Sequence, residues 1–159
     1  MSTLYVHDAG GYREADSREV IREAHALISR RFRRGAPVLT RPVQVREFLK
    51  LRLGGLEHEV FGALYLDTRN RLIALDDLFR GTINAAAVHP REVVKSALKY
   101  QASQVIVYHN HPSGGLSPSV ADECITQRVR DALALVDIPL LDHLIIGDGV
   151  YSFADHCLL

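Results

Sequence analysis

His109, His111 and Asp122 are the residues of this chain whose types and spacing could hold a metal ion. The two histidines follow Gln104-Val105-Ile106-Val107-Tyr108, a short apolar run rich in β-branched residues, which predicts a buried strand. Residues two apart on an extended chain project to the same side, so both imidazoles can converge on one point while Asn110 faces away. Pro112-Ser113-Gly114-Gly115 lets the chain reverse, and a helix beginning near Ser117 or Ser119 brings Asp122 round as a third ligand. Two imidazole nitrogens and a carboxylate oxygen suit zinc, and three protein ligands leave a fourth position for water. Zinc in such an open site lowers the pKa of its water to about 7, so the natural chemistry is hydrolysis.

Two helix starts compete. Ser119-Val120-Ala121-Asp122 reads as a capping box, whereas Ser117-Pro118 offers a serine cap with proline at the first helical position. With Ser117 as the cap, Asp122 is free to bind metal, and the Ser119 hydroxyl, three residues away on the same face, points at the same centre. Hydrolysis also needs a general base. Glu57, Glu59 and Glu92 lie upstream; the helix dipole alone explains Glu92, and the residues leave Glu57 and Glu59 open, with a slight edge to Glu59.

His109-x-His111, the seven residues Pro112 to Pro118, Ser119, two more residues and Asp122 resemble the motif of the JAB/JAMM (MPN-type) metalloproteases, which also has an upstream glutamate. Val88-His89-Pro90-Arg91-Glu92-Val93, His109-Asn110-His111-Pro112-Ser113-Gly114, and Leu141-Asp142-His143 with Gly147-Asp148-Gly149 resemble the RadC-like branch of that family, from about Glu47 to the C-terminus. The resemblance implies zinc held by His109, His111 and Asp122, with Glu59, which directly precedes the strand Val60 to Leu66, as general base. It also implies cleavage of a peptide or isopeptide bond and a sandwich related in outline to the cytidine deaminases. Ser119 is the candidate donor to the oxyanion of the tetrahedral intermediate. Deaminase chemistry itself wants His-x-Glu and Pro-Cys-x-x-Cys, and neither is present.

The RadC-like branch carries a name tied to DNA repair, and its longer members place a helix-hairpin-helix region ahead of this domain. No Gly-rich hairpin of that kind is evident in residues 1–45. That departure counts against DNA binding through such a region; a second reading, a DNA-repair-associated nucleic-acid-binding protein or metal nuclease, rests instead on Arg30, Arg31, Arg33 and Arg34, whose bland reading is a solvated helix end. The contiguous His-Asn-His triplet does not constitute the nuclease motif of those letters, whose residues are dispersed. A third reading is a metal-free binding module.

Composition is that of an ordinary globular chain: 159 residues, 47% hydrophobic and 24% charged. Nineteen basic and nineteen acidic residues give no global drive toward nucleic acid or acidic membranes. Two cysteines, Cys124 and Cys157, exclude a disulfide scaffold and point to a reducing compartment. No apolar run approaches the roughly 20 residues that span a bilayer, and the N-terminus lacks a signal-peptide pattern, so a cytoplasmic location is expected with no membrane partner.

The elements that must position the site follow in order. Residues 1–15 carry no periodicity and read as a loose arm. Asp16 and Glu19 form a capping box for an amphipathic helix carrying Val20, Ile21, Ala24, Leu27, Ile28 and Phe32 and ending near Gly35. Pro42 opens a second helix with Val43, Val45, Phe48, Leu49 and Leu53 as its apolar set, closed by Gly54-Gly55. Val60 to Leu66 and Arg71 to Leu75 make a hairpin across Asp67 to Asn70, and an extended segment covers Gly81 to Val88. A helix from Pro90 turns Val93, Val94, Ala97 and Leu98 inward. The helix after the metal loop buries Val120, Cys124, Ile125, Val129, Ala132, Leu133 and Val136, and a last hairpin joins Leu140–Ile146 to Val150–Phe153 across Gly147-Asp148-Gly149. Interleaved strands and helices predict an α/β fold, a mixed sheet flanked by helices, divided into residues 1–45 and a metallohydrolase domain at 46–159. His89 reads as a helix cap, Asp142-His143 as makers of structural hydrogen bonds, His58 as exposed and Cys124 as a small core residue.

Overall fold

A computed structural model describes residues 3–8, 10–31, 41–81 and 88–159. Two compact units divide between Pro37 and Val38. In the first, β1 (Tyr5–Asp8) pairs antiparallel with β2 (Gly11–Glu14), and α1 (Ser17–Arg31) follows. The two strands replace the expected loose arm. They escaped the pattern because the hairpin buries no apolar face, and burial is what writes alternation into a strand. Asp16 and Glu19 do form the reciprocal cap: the Glu19 N–H donates to Asp16 Oδ1 at 2.8 Å and the Asp16 N–H to Glu19 Oε2 at 3.1 Å. Ile21 and Leu27 are exposed. Phe32, Arg33, Arg34 and the side chains of Ile28, Arg30 and Arg31 lie outside the described residues, as does the segment expected to be extended at residues 82–87.

The second unit is built on continuous apolar runs, the mark of strands covered on both faces. It contains α2 (Pro42–Leu53), β3 (Val60–Leu66), β4 (Leu72–Arg80), α3 (Pro90–Lys99), β5 (Gln104–Asn110), α4 (Val120–Ala134), β6 (Leu140–Ile146) and β7 (Val150–Ser152). Every residue of β3 is buried. The sheet order is β4-β3-β5-β6-β7. Among the described residues only β5 and β6 run parallel, and α4 is the crossover between them. The boundary expected at 45/46 falls inside α2.

Alternate residues of β5 serve the two faces. Val105 and Val107 enter a core with Val93 and Ala97 of α3 and with Ile125, Val129 and Leu133 of α4. Tyr108 points the other way: its hydroxyl donates to Asp77 Oδ1 of β4 at 2.6 Å, and Asp77 also pairs with Arg52 of α2. Helices thus cover both faces of a mixed sheet, and the expected α/β sandwich is the fold.

Several side chains depart from their expected places. Val43 and Leu98 are exposed, at 57% and 54%. Val120 is 78% exposed and Cys124 is exposed, so neither belongs to the buried face of α4. That face is Asp122, Ile125, Thr126, Val129 and Leu133, a helical stripe in which two polar residues take apolar-looking positions. β4 runs to Arg80, past the expected Leu75. His89 occupies the cap position of α3 but makes no side-chain cap hydrogen bond, and His58 is half-buried.

Candidate metal centre

The site lies where β5 ends. His109 is its penultimate residue, and His111 follows the strand, its N–H donating to the Ile146 carbonyl of β6 at 2.8 Å. Gly114 and Gly115 then pass directly against Gly147. A Cβ on Gly147 would stand 2.4 Å from the Gly114 carbonyl oxygen and 2.6 Å from that of Gly115, backbone atoms that cannot swing aside. This close approach delivers the Gly115 carbonyl to His111 Nδ1 at 3.0 Å. Since a carbonyl only accepts, His111 carries its proton on Nδ1 and turns a bare Nε2 inward. Gly147→Ala is expected to cost about 1–3 kcal/mol, the range for overpacking, measured as a lowered denaturant midpoint at unchanged m-value.

Ser119, not Ser117, caps α4. Pro118 precedes the cap, and the box formed with Asp122 satisfies two helix-terminal donors at once. Asp122 Oδ2 accepts from the Ser119 N–H at 2.7 Å and from its hydroxyl at 2.7 Å, while Ser119 Oγ accepts from the Asp122 N–H at 3.2 Å. The competition between capping and ligation disappears, because the carboxylate has two oxygens. Asp122 Oδ1 is buried without a hydrogen-bond partner and stands 3.3 Å from His109 Nε2. His109 Nε2 and His111 Nε2 are 2.9 Å apart. The ligand atoms of His109, His111 and Asp122 all fall within 4.8 Å of one another. The single Ser119 hydroxyl proton faces Asp122, so in this geometry the hydroxyl orients the carboxylate; donation to a reaction oxyanion requires it to turn.

Burial disfavours the charged form of two of the imidazoles, His109 and His143. Burial pushes His109 down to about 4, with the nearby His111 adding to the fall and Asp122 opposing it. The approach of His109 to Asp122 is therefore not an ion pair at neutral pH. His143, stacked on Phe153 and completely buried, is held well below the usual histidine range by the same desolvation. The imidazoles of His109 and His111 and an orphaned carboxylate oxygen make a donor set that fits a divalent cation.

Asn110, between the ligands in sequence, faces the other way and grips the start of β3. Its Oδ1 accepts from the Val60 N–H at 2.7 Å and its Nδ2 donates to the His58 carbonyl at 3.0 Å, one bond on each side of Glu59. Glu59 is half-buried, and its carbonyl accepts from the Gly81 N–H at 3.0 Å. The antiparallel register pairs Phe61 with His109, so the start of β3, which Glu59 precedes, lies beside the end of β5. Glu57 is exposed and lines a cavity of about 230 Å³ together with His111, Asn110, Gly147 and Asp148. Asn110→Ala leaves a buried N–H and carbonyl unpaired. It is expected to destabilise the fold by about 2–4 kcal/mol, at about 1–3 kcal/mol per abandoned group, measured by chemical denaturation.

Sequence reasoning missed three contributors: Asn110, Thr126 and His143. His143 Nε2 lies 2.8 Å from His109 Nδ1, and its Nδ1 lies 2.6 Å from Thr126 Oγ1. Asp142 is structural, accepting from the His143 N–H at 2.8 Å, the Ser152 hydroxyl at 2.6 Å and the Ala154 N–H at 3.0 Å. Burial still raises its carboxyl above the usual range.

This fold and donor set are those of a JAB domain, and the RadC-like JAB domain model matches residues 39–158. The chain is 49% identical over 150 residues to a UPF0758 protein of Thioalkalivibrio sulfidiphilus, covering 94% of this chain and 67% of that one. It is 57% identical over 123 residues to one of Nitrosococcus oceani, covering 77% and 55%, and 49% identical over 144 residues to YfjY of Escherichia coli, covering 90% of each. The chain thus spans just over half of one relative's length, about two thirds of another's and nearly all of the third. It belongs to the RadC-like JAB domain family.

Proposed function

We propose that the chain is a zinc-dependent hydrolase that cleaves a peptide or isopeptide bond at the centre formed by His109, His111 and Asp122. The observation that carries this reading is the buried, partnerless Oδ1 of Asp122, 3.3 Å from His109 Nε2, which itself stands 2.9 Å from His111 Nε2. Zinc bound there supplies Lewis acidity and a water whose pKa is lowered to about 7. Glu59, held on both sides by the Asn110 amide, takes the proton of the attacking water and returns it to the leaving nitrogen. Ser119 fixes the Asp122 carboxylate, and by rotating its hydroxyl it can donate to the developing oxyanion. The cavity beside His111 receives the substrate. The ligand chemistry favours zinc over magnesium or calcium, which prefer all-oxygen shells.

Metal analysis of the purified chain after reconstitution, paired with a screen on peptide and isopeptide substrates, tests the reading. One equivalent of zinc and hydrolysis of a member of the panel are expected, and a reconstituted chain that holds no zinc overturns it. A nuclease or DNA-binding role through Arg30, Arg31, Arg33 and Arg34 predicts instead a DNA affinity that falls steeply with salt.

A further inference from the structure

His143 brings a third imidazole against the ligand pair without being a ligand itself. It is completely buried, and each of its ring nitrogens has one partner: His109 Nδ1 at 2.8 Å and Thr126 Oγ1 at 2.6 Å. Thr126 Oγ1 in turn lies 2.5 Å from the backbone carbonyl oxygen of Asp122. The contacts form one chain from Asp122 through Thr126 and His143 to His109, so it begins and ends on metal-ligand residues.

Each link needs one proton, and that requirement fixes the direction of the whole chain. A carbonyl has no proton to give, so the threonine hydroxyl donates to Asp122. The hydroxyl has then spent its only hydrogen, and its lone pair must accept from His143 Nδ1–H. A buried imidazole with no carboxylate against it is neutral and carries one ring proton. His143 Nε2 is therefore bare and accepts from His109 Nδ1–H. His109 is left with a bare Nε2, the atom that faces His111 and Asp122.

We propose that Thr126 and His143 are positioning residues for metal loading, a relay that locks His109 in the tautomer presenting its Nε2 lone pair to the cation site. The inference rests on the metal-centre reading above. Its physical logic is that of an outer shell: a hydrogen bond to the far nitrogen of a ligating histidine fixes the ring's orientation and tautomer and raises its basicity. In this chain the relay starts from the backbone of α4, so the helix that supplies the Asp122 carboxylate also sets the protonation of the His109 ring. Ligand geometry and ligand tautomer are thereby tied to the docking of one helix.

Thr126→Val keeps the side-chain shape and removes the hydroxyl, stranding His143 Nδ1–H; Thr126→Ser restores the link. Zinc affinity of the full chain is read by competition against a chromophoric chelator. The valine variant is expected to bind zinc about 10- to 100-fold more weakly, with the serine variant close to wild type. Equal affinity in wild type and Thr126→Val overturns the relay while leaving the metal centre intact. A wild type that binds no zinc overturns the metal centre and the relay with it. Should the valine variant not fold, nitrogen NMR of the metal-free wild type decides the matter. It is expected to show His109 and His143 both protonated on Nδ1, and a proton on Nε2 of His109 overturns the relay.

Discussion

Asp122→Asn is expected to yield a folded protein that holds no zinc. The asparagine carbonyl can still accept from the Ser119 N–H and hydroxyl, so the cap of α4 survives. Its amide nitrogen then takes the place of Oδ1, 3.3 Å from His109 Nε2, and supplies a proton to the lone pair that a cation would otherwise meet. The variant removes both the negative charge and the buried oxygen without a partner. Asp122→Ala also loses the metal, but it gives up the capping box as well, at about 1 kcal/mol. Metal content by elemental analysis and thermal unfolding of the two variants separate these effects. The asparagine variant should unfold no earlier than metal-free wild type, and the alanine variant earlier. Wild-type zinc stoichiometry in Asp122→Asn would remove this carboxylate from the ligand set.

The other large effect is expected at Glu59. Glu59→Gln should keep zinc and lose about 10²- to 10⁴-fold in turnover, the range for removing a general base, or about 3–5 kcal/mol of transition-state stabilisation. The metal is expected to be retained because the proposed ligands lie on β5, α4 and the turn after β5, whereas Glu59 precedes β3. The comparison that matters is Glu57→Gln. Glu57 is exposed on the wall of the cavity beside His111, so its loss should weaken substrate binding and raise KM at nearly unchanged kcat. The assignments of the two glutamates exchange if kcat collapses in Glu57→Gln and persists in Glu59→Gln.

The parts of the fold that could be read from the sequence are those where burial writes a pattern. β3 is an unbroken apolar run, and β5 carries one from Val105 to Tyr108, because helices cover both faces of the sheet. The start of α2 was marked by Pro42 and that of α3 by Pro90. α4 was legible as a helix, and Ile125, Val129 and Leu133 of its buried face were read correctly, but its first turns were not. Its inward stripe begins with Asp122 and includes Thr126, and a search for apolar periodicity passes over buried polar residues and takes Val120 and Cys124 in their stead. Those two polar residues are buried because they belong to the site. The metal triad could be read because its members lie within fourteen residues, His109 to Asp122, on a strand, a turn and one helix. The groups that hold the triad in place could not: His143 arrives from β6, thirty-four positions beyond His109, through a pairing that only the assembled sheet defines.

The orphaned oxygen of Asp122 also says something about how the native state is balanced. Ser119 holds one oxygen of that carboxylate and leaves the other bare. The Gly115 carbonyl holds Nδ1 of His111 so that its Nε2 faces the Asp122 carboxylate, and His143 occupies the far side of His109. Groups of like polarity are thus pinned face to face, a locally frustrated contact that the surrounding packing over-determines rather than relaxes. Folding thus sets these acceptors side by side in advance, and a cation held among them would answer all of them at once.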